Sequence, residues 1–308
     1  MRVAPPSGAA RRISPLVQTF LQGAIGGLLI GGIYALVALG LNIVFGTMRV
    51  INFAQGTLLM VGMFLVYWLW ALAGLHPYVS PLVTVPVLFG LGYLIQQTLV
   101  GPLFARERAR EPMSVLLLTL GLALALENLA LLLFAADFKT VPTDIGRQTF
   151  KLAGLIVSVP RLIGLAAMLV TGAALYLFFT RTDLGRAIRA TGQDRQVARL
   201  MGIDDRRIYN VAFGLSAALM GIAAAVLVPF FYVHPGVGTS FLLRAFVIVV
   251  LGGLGSMPGA ALGGLIVGVI EGLVGLYVQA AAAQIVLFGL FVALVFLRPT
   301  GLLGVERQ

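Results

Sequence analysis

The chain has 308 residues, of which 60% are hydrophobic and 10% charged, and its mean hydropathy is +1.03. Soluble domains carry roughly a quarter charged residues, so this composition excludes a water-soluble fold. The net charge of +10 does not indicate nucleic-acid binding, because the basic residues flank apolar stretches rather than alternating with aromatic residues on a soluble face.

Nine apolar stretches follow one another along the chain, and most are long enough to cross a bilayer as helices of about 20 residues. They are 16–45, 53–73, 78–104, 114–135, 160–180, 208–231, 241–254, 258–278 and 280–297. We therefore predict an all-α polytopic membrane helix bundle with about eight to ten spans. The whole chain, 1–308, is predicted to form a single transmembrane domain.

Two of these stretches are interrupted by glycine and polar residues, at 42–56 and at 252–259, just after the short stretch 241–254. Glycine and proline are tolerated inside lipid only where protein or a water-filled cavity covers the freed backbone groups. We therefore predict a re-entrant or broken segment. Because paired broken segments mark the solute site in many transporters, we expect a solute path near both breaks.

Arginine counts in the short loops predict the orientation of the bundle. The loops 105–113 and 181–207 are rich in arginine and are expected in the cytoplasm, whereas 136–159 falls outside by alternation. The same alternation places the N-terminus outside if 16–45 crosses once.

That placement leaves Arg2, Arg11 and Arg12 on the unfavourable side of the membrane. A break near Asn42 that returned the chain to the same side would remove the conflict. We state this break as an expectation.

The segment 181–207 is predicted to form two short cytoplasmic helices. Thr182 or Asp183 can cap the first helix, and Gln193 or Asp194 starts the second. Gly202 stands where a helix ends in the left-handed conformation.

The second of these helices carries one apolar stripe, formed by Val197, Leu200 and Met201 at helical spacing. A helix this short is marginal alone, so the stripe must dock on another surface. That surface is either the headgroups or the chain's own bundle, or a groove in a soluble partner. The pattern leaves both open.

Three polar residues stand inside apolar stretches: Glu127, Asn128 and Glu271. A charge near a helix centre costs about 2.5 to 3.5 kcal/mol on insertion scales, so each should face the bundle or a wet cavity. Each is either a structural partner or a lining of the path, and Arg49 and Arg244 are available as counter-ions. With the neutral polar groups and glycines of the breaks, the predicted path residues are Asn42, Arg49, Asn52, Gln55, Glu127, Asn128, Gly252, Gly253, Gly255 and Glu271.

Several motifs resemble known transporter sequences. The segment 181–207 is similar to the cytoplasmic coupling loop of permeases of ATP-binding cassette (ABC) importers, whose Glu-Ala-Ala-x-x-x-Gly signature falls on Gln196, Val197, Ala198 and Gly202. The order of further motifs resembles the branched-chain amino-acid permease of the H type. These motifs are Gly-Leu-Asn-Ile-Val-Phe-Gly at 40–46, Arg-Val-Ile-Asn-Phe-Ala-Gln-Gly at 49–56, the glycine-rich run at 245–260 and Arg-Pro-Thr-Gly-Leu-Leu-Gly at 298–304.

The resemblance implies a permease subunit of the bacterial cytoplasmic membrane that translocates branched-chain or related amino acids. It implies a second permease subunit, either of the M type in a heterodimer or a second copy in a homodimer. It also implies two cytoplasmic ATP-binding subunits and an extracytoplasmic substrate-binding protein. The residues implied to couple to the ATPase are Arg189, Arg195, Gln196, Val197, Ala198, Arg199, Leu200, Met201 and Gly202. The chain departs from the family at Gln196-Val197, where the signature has Glu-Ala, and at Gln55, where the family commonly has His.

Enzymatic activity and bound cofactors are not expected for this chain. It has no phosphate-binding Gly-x-x-x-x-Gly-Lys-Ser/Thr motif and no cysteine, and its two histidines stand alone before prolines. Neither a catalytic site nor a metal site is therefore expected. The alternatives are an ABC permease for urea, amides or small organic acids, and an ion-coupled secondary transporter that uses Glu127 and Glu271 as proton relays.

Overall fold

The computed structural model describes residues 14–106, 113–152, 154–277, 280–298 and 301–304. Gln96–Val100 form a π-helical turn, and β1 (Thr149–Leu152) and β2 (Leu155–Ser158) pair as a short antiparallel hairpin. The helices are α1 (Pro15–Met48), α2 (Ala54–Ala73), α3 (Pro81–Ile95), α4 (Gly101–Arg106), α5 (Met113–Phe134), α6 (Val159–Arg181), α7 (Asp183–Gln193), α8 (Arg195–Leu200), α9 (Asp205–Leu227), α10 (Val237–Gly252), α11 (Met257–Tyr277) and α12 (Ala280–Leu297).

The polytopic all-helical architecture predicted from hydropathy is confirmed. Within the described ranges, seven helical segments are long and apolar enough to cross a membrane, and two shorter apolar helices, Val237–Gly252 and Ala282–Leu297, accompany them. The 16 residues of α10 extend about 24 Å, less than the roughly 30 Å of a hydrocarbon core. The short stretch predicted at 241–254 is therefore a short helix that ends at a glycine turn.

The first helix, α1, is the central element of the bundle. Its 34 residues extend about 51 Å, and it packs against α11, α9, α6 and α10. Side chains from Ile33 to Leu39 are almost completely buried. A helix this apolar on all sides is expected where neighbours surround it.

The expected break near Asn42 is wrong. The helix continues through Asn42 to Met48 and ends at Arg49, which adopts a left-handed φ of 56°. Gly40 and Gly46 do not interrupt it because they serve close packing: a Cβ on Gly40 would lie 2.5 Å from Gln55 Nε2, and one on Gly46 would lie 3.3 Å from Gly255 Cα. Arg2, Arg11 and Arg12 lie outside the described residues.

Hydrogen bonds identify which loops share an end of the bundle. At the start of α1, Gln18 and Gln22 donate to the carbonyls of Gly154 and Ile156 at 2.8 and 2.7 Å. Lys139 and Val233 exchange backbone bonds at the same end. The loop predicted to lie outside thus joins the start of α1 and the turn between α9 and α10. The arginine-rich segment 183–204 lies at the opposite end, at the start of α9.

A seam of glycines joins α1 to α11. Gly27 and Gly31 on α1 face Gly268 and Gly264 on the antiparallel α11, with Gly23 and Gly272 continuing the row. A Cβ on Gly268 would lie 2.4 Å from both Gly27 O and Gly31 Cα. Small residues four apart let membrane helices approach until their backbones touch. The two backbones therefore leave no room for a side chain at these positions.

Replacing Gly268 with valine should separate α1 from α11 and destabilise the bundle. Overpacking a tight contact costs about 1 to 3 kcal/mol, and here the obstructing atoms are backbone, which cannot rotate away. Thermal unfolding of the purified protein in detergent measures the loss. Gly275→Val on the same helix is the control, since nothing lies within 4 Å of that position, and equal melting temperatures for both variants would contradict the seam.

Candidate functional site

The end of α1 and the glycine-rich second break meet at the arginine-rich end of the bundle. The first break is the loop 49–53 between α1 and α2, and the second is the turn 253–256 between α10 and α11. The Gly255 N–H donates to Asn42 Oδ1 at 2.8 Å. Gly253 and Gly255 adopt φ values of 103° and 86°, which favour glycine. A Cβ on Gly252 would lie 2.2 Å from Gly259 O, so α10 and α11 touch at this turn.

A cavity of about 390 Å³ opens beside this meeting point. Asn42 and Thr47 of α1 line one side, Phe179 and Thr180 of α6 another, and Arg189 of α7 lies at its border. We call it the break cavity. It places two predicted path residues, Asn42 and Gly255, next to the predicted coupling residue Arg189.

Asn52 and Gln55 lie apart from this cavity, in a closed polar network. Both are fully buried. Asn52 Nδ2 donates to Gln55 Oε1 at 3.3 Å, and Gln55 Nε2 donates to the Ser216 carbonyl at 3.4 Å. Ser216 Oγ lies 2.9 Å from Gln55 Oε1 and 2.7 Å from Gly40 O, and its one proton serves either acceptor. The network ties the first break to α9 and faces no solvent.

Glu271 forms a two-pronged ion pair with Arg244. Arg244 Nη2 lies 2.7 Å from Glu271 Oε1 and Nε lies 3.0 Å from Oε2, with both side chains less than one-fifth exposed. The guanidinium also lies 5.5 Å from the centre of the Tyr34 ring. Glu271 and Tyr34 line a second cavity of about 500 Å³ on the outer side, together with Arg161. The structure thus assigns the counter-ion that the sequence left open.

Glu127 and Asn128 lie on α5, away from the break cavity. Asn128 is on the exposed face of α5 and donates to the Leu124 carbonyl at 2.8 Å. Glu127 reaches the outer turn between α9 and α10, since a Cβ on Gly236 would lie 3.6 Å from Glu127 Oε1. Burial lowers the pKa of His234 in this turn, and the carboxylate of Glu127 partly opposes that change. Neither residue adjoins the break cavity.

The predicted helix caps of the 183–204 segment are confirmed. Thr182 Oγ1 accepts from Gly185 N at 3.0 Å at the start of α7. Asp194 Oδ1 accepts from the Gln196 and Val197 amides at the start of α8. Gly202 follows α8 with a left-handed φ of 82°. Only glycine takes this conformation without strain, so the turn depends on it.

Helix α8 is tied to the start of α9 by a shared carboxylate. Arg195 Nε and Arg199 Nη2 lie 2.6 and 2.7 Å from Asp205 Oδ2, a buried carboxylate. The hydrogen bond to Asp205 raises the pKa of Arg199. Ala198 is buried beneath the helix. Arg195, Ala198 and Arg199 therefore position α8 on this chain.

The apolar stripe of α8 faces away from the bundle. Val197, Leu200 and Met201 are 54%, 86% and 78% exposed. Docking on the chain's own described residues, one of the surfaces that the sequence left open, is therefore excluded. The headgroups and a partner groove remain.

Helix α7 is fastened to the end of α1. Arg49 Nη2 donates to the carbonyls of Gly192 and Gln193 at 3.4 and 3.1 Å, which caps the C-terminal end of α7. A Cβ on Gly192 would lie 2.3 Å from Gly46 O, so the two backbones touch. The segment 183–204 therefore contacts the same helix end that borders the break cavity.

Sequence reasoning missed three parts of this arrangement. Asp205 and Ser216 were not singled out, because nothing in a single sequence indicates which distant groups they meet. The glycine seam had a visible signal, since glycines recur every four residues in both α1 and α11. Among the described residues, no three His, Asp or Glu side chains cluster as metal ligands would.

Comparison with known proteins gives consistent matches over nearly the full length. Residues 23–295 match the family described as branched-chain amino acid transport system / permease component. The chain is 32% identical to the high-affinity branched-chain amino acid transport system permease protein BraD of Pseudomonas aeruginosa, over 94% of this chain and 97% of that protein. It is 29% identical to the corresponding permease protein LivH of Escherichia coli strain K12, over 92% and 96%. A probable branched-chain amino acid transport permease protein of Methanocaldococcus jannaschii is also 29% identical, over 93% and 92%. No solved structure matches.

The ion pair between Arg244 and Glu271 gives a stability test. Glu271→Gln leaves Arg244 as an uncompensated, largely buried charge, so we expect a loss of about 3 kcal/mol in the free energy of unfolding. Arg244→Gln together with Glu271→Gln removes both charges and should recover part of that loss. Melting temperatures in detergent are measured for the parent protein, each single variant and the double variant, which together form a double-mutant cycle. A double variant as unstable as the sum of the single variants would contradict the pairing.

Proposed function

Because the chain belongs to the branched-chain amino acid transport system permease family, we propose that it is the membrane-spanning subunit of an importer that carries branched-chain amino acids across the bacterial cytoplasmic membrane. The observation that carries this proposal is the extent of the family match, which includes both breaks and the 183–204 segment. The seven span-length helices supply the membrane-embedded body that such a subunit needs.

We place ATP hydrolysis in partner subunits. The sequence has no phosphate-binding loop, so the chain depends on separate ATP-binding subunits at its cytoplasmic end. The proposed assembly contains two of them, a second permease subunit of the M type and an extracytoplasmic substrate-binding protein. In this assembly the present chain forms one permease domain, with 181–207 as its coupling loop.

The exposed stripe of α8 is the proposed contact with an ATP-binding subunit. Val197, Leu200 and Met201 form the apolar face of a helix presented outward, as in recognition of a helix by a groove. The salt bridges of Arg195 and Arg199 to Asp205 hold that helix on α9. Movement of the partner is therefore transmitted through α8 and α7 as a rigid unit.

The proposed path runs past the two breaks. Asn42, Gly252, Gly253 and Gly255 lie together at the cytoplasmic end. Asn52 and Gln55 are sealed in their own hydrogen-bond network, so in this conformation they close the path rather than line it. Glu271, neutralised by Arg244, borders the outer cavity. We propose that opening the path separates the first break from α9.

Replacing Leu200 with aspartate should uncouple the importer. A charge on an 86% exposed apolar position leaves the fold intact but opposes burial in a partner groove, and central contact residues are worth about 2 kcal/mol or more. We expect ATP-driven leucine uptake to fall at least about tenfold in membrane vesicles, with the chain still inserted. Arg186→Gln on the exposed face of α7 is the control. Unchanged uptake in the Leu200 variant would contradict the docking.

The energy source is tested with the complete importer in proteoliposomes. Leucine uptake should require ATP inside and the external binding protein, and it should survive collapse of the proton gradient. Uptake that stops with the proton gradient and ignores ATP would instead establish an ion-coupled transporter. The pairing of Glu271 with Arg244 argues against that outcome, because a proton relay needs a carboxylate free to be protonated.

A further inference from the structure

The break cavity carries an unsatisfied buried donor. Asn42 is only 2% exposed. Its Oδ1 accepts the Gly255 N–H at 2.8 Å, which fixes the orientation of the amide. Its Nδ2 then has no hydrogen-bond partner. An unpaired buried amide donor costs about 1 to 3 kcal/mol, so a group that accepts from it would stabilise the site.

Two further donors border the same cavity. The Ser256 hydroxyl accepts from Gly259 N at 3.2 Å, which leaves its proton available. Arg189, on α7, lines the cavity and makes no ion pair or hydrogen bond with any described residue. None of the described residues that line the cavity is acidic. Donors and a cation without a carboxylate indicate an anionic ligand group.

The remaining walls are apolar. Four helices and the glycine turn contribute the side chains of Ile43, Phe179, Ile188, Met257 and Leu254. The volume of about 390 Å³ lies within the range of small-ligand pockets, which combine apolar walls with a few placed polar groups. A branched aliphatic side chain fits this apolar lining.

We infer that the break cavity holds a branched aliphatic carboxylate, with the carboxylate at Asn42 Nδ2, Ser256 and Arg189 and the aliphatic part against the apolar wall. This inference rests on the proposed function for the identity of the ligand as the transported amino acid. The cavity is then the last site of the path before release into the cytoplasm.

Arg189 also links the ligand site to the coupling loop. Asn42 belongs to α1 and Arg189 to α7, the first helix of the coupling loop. A carboxylate held between them joins the loop to the bundle. Because Arg49 and Gly192 fasten α7 to the end of α1, movement of the coupling loop is transmitted directly to this site.

Thiol labelling tests the inference in inside-out membrane vesicles that contain the complete importer without ATP. The chain has no cysteine, so Thr180→Cys places one thiol in the cavity. A water-soluble maleimide should label it. Leucine and 4-methylpentanoate, which keep the carboxylate, should slow the labelling, whereas 3-methylbutylamine, which lacks it, should not.

Two variants locate the carboxylate. Asn42→Asp keeps an acceptor for Gly255 N but replaces the free donor with a negative charge, and Arg189→Gln removes the cation. Each should raise the half-protecting leucine concentration at least about tenfold. Arg186→Gln, on the same helix but paired with Asp183 outside the cavity, should leave it unchanged.

Several results would overturn the inference. Equal protection by the amine and the acid would show an apolar pocket without carboxylate recognition. Absence of labelling, absence of protection by leucine, or unchanged protection in both variants would show that the cavity is not this site. ATP-driven leucine uptake by the Thr180→Cys importer is measured in parallel. Uptake without protection rejects the site and keeps the proposed function, whereas failure of uptake by the parent importer rejects the function itself.

Discussion

Backbone contact between α1 and α11 fixes the position of the turn that precedes α11. Glycines at every fourth position let the two backbones touch along about two turns. In lipid this close packing replaces the hydrophobic driving force that water supplies to soluble proteins. The seam holds α11 against α1, so the turn that begins α11 meets Asn42 near the end of α1. The same turn forms one wall of the break cavity, so the seam determines where the cavity lies.

The end of α1 also carries the cytoplasmic segment. Arg49 caps α7 and Gly192 touches Gly46, while α8 is held to α9 through Asp205. One helix end thus has the coupling loop on one side and the glycine turn on the other. In the proposed importer, force applied to the exposed stripe of α8 reaches the break cavity through contacts between backbones and charged groups, with no flexible linker between them.

Much of this fold could be predicted because hydrophobicity alone identifies helices that must lie in lipid. The caps at Thr182, Asp194 and Gly202 were also predictable, because they depend on neighbours within a few residues. Pairings between distant segments were not predictable. The sequence offered both Glu127 and Glu271 as partners for Arg244. Gly40 and Gly46 near Asn42 indicated a break in the helix, but in the structure they allow close packing against Gln55 and Gly255. A sequence states which residues are small or charged, but the three-dimensional packing decides what they meet.

Paired spin labels on the cysteine-free chain can show whether α7 and the glycine turn before α11 move together. One pair joins Arg186 on α7 to Leu254 at the turn, and a second joins Arg186 to Phe138 at the outer end, all exposed positions. The first distance should stay constant between the nucleotide-free and ATP-bound importer, while the second should change. A first distance that changes as much as the second would contradict this joint movement.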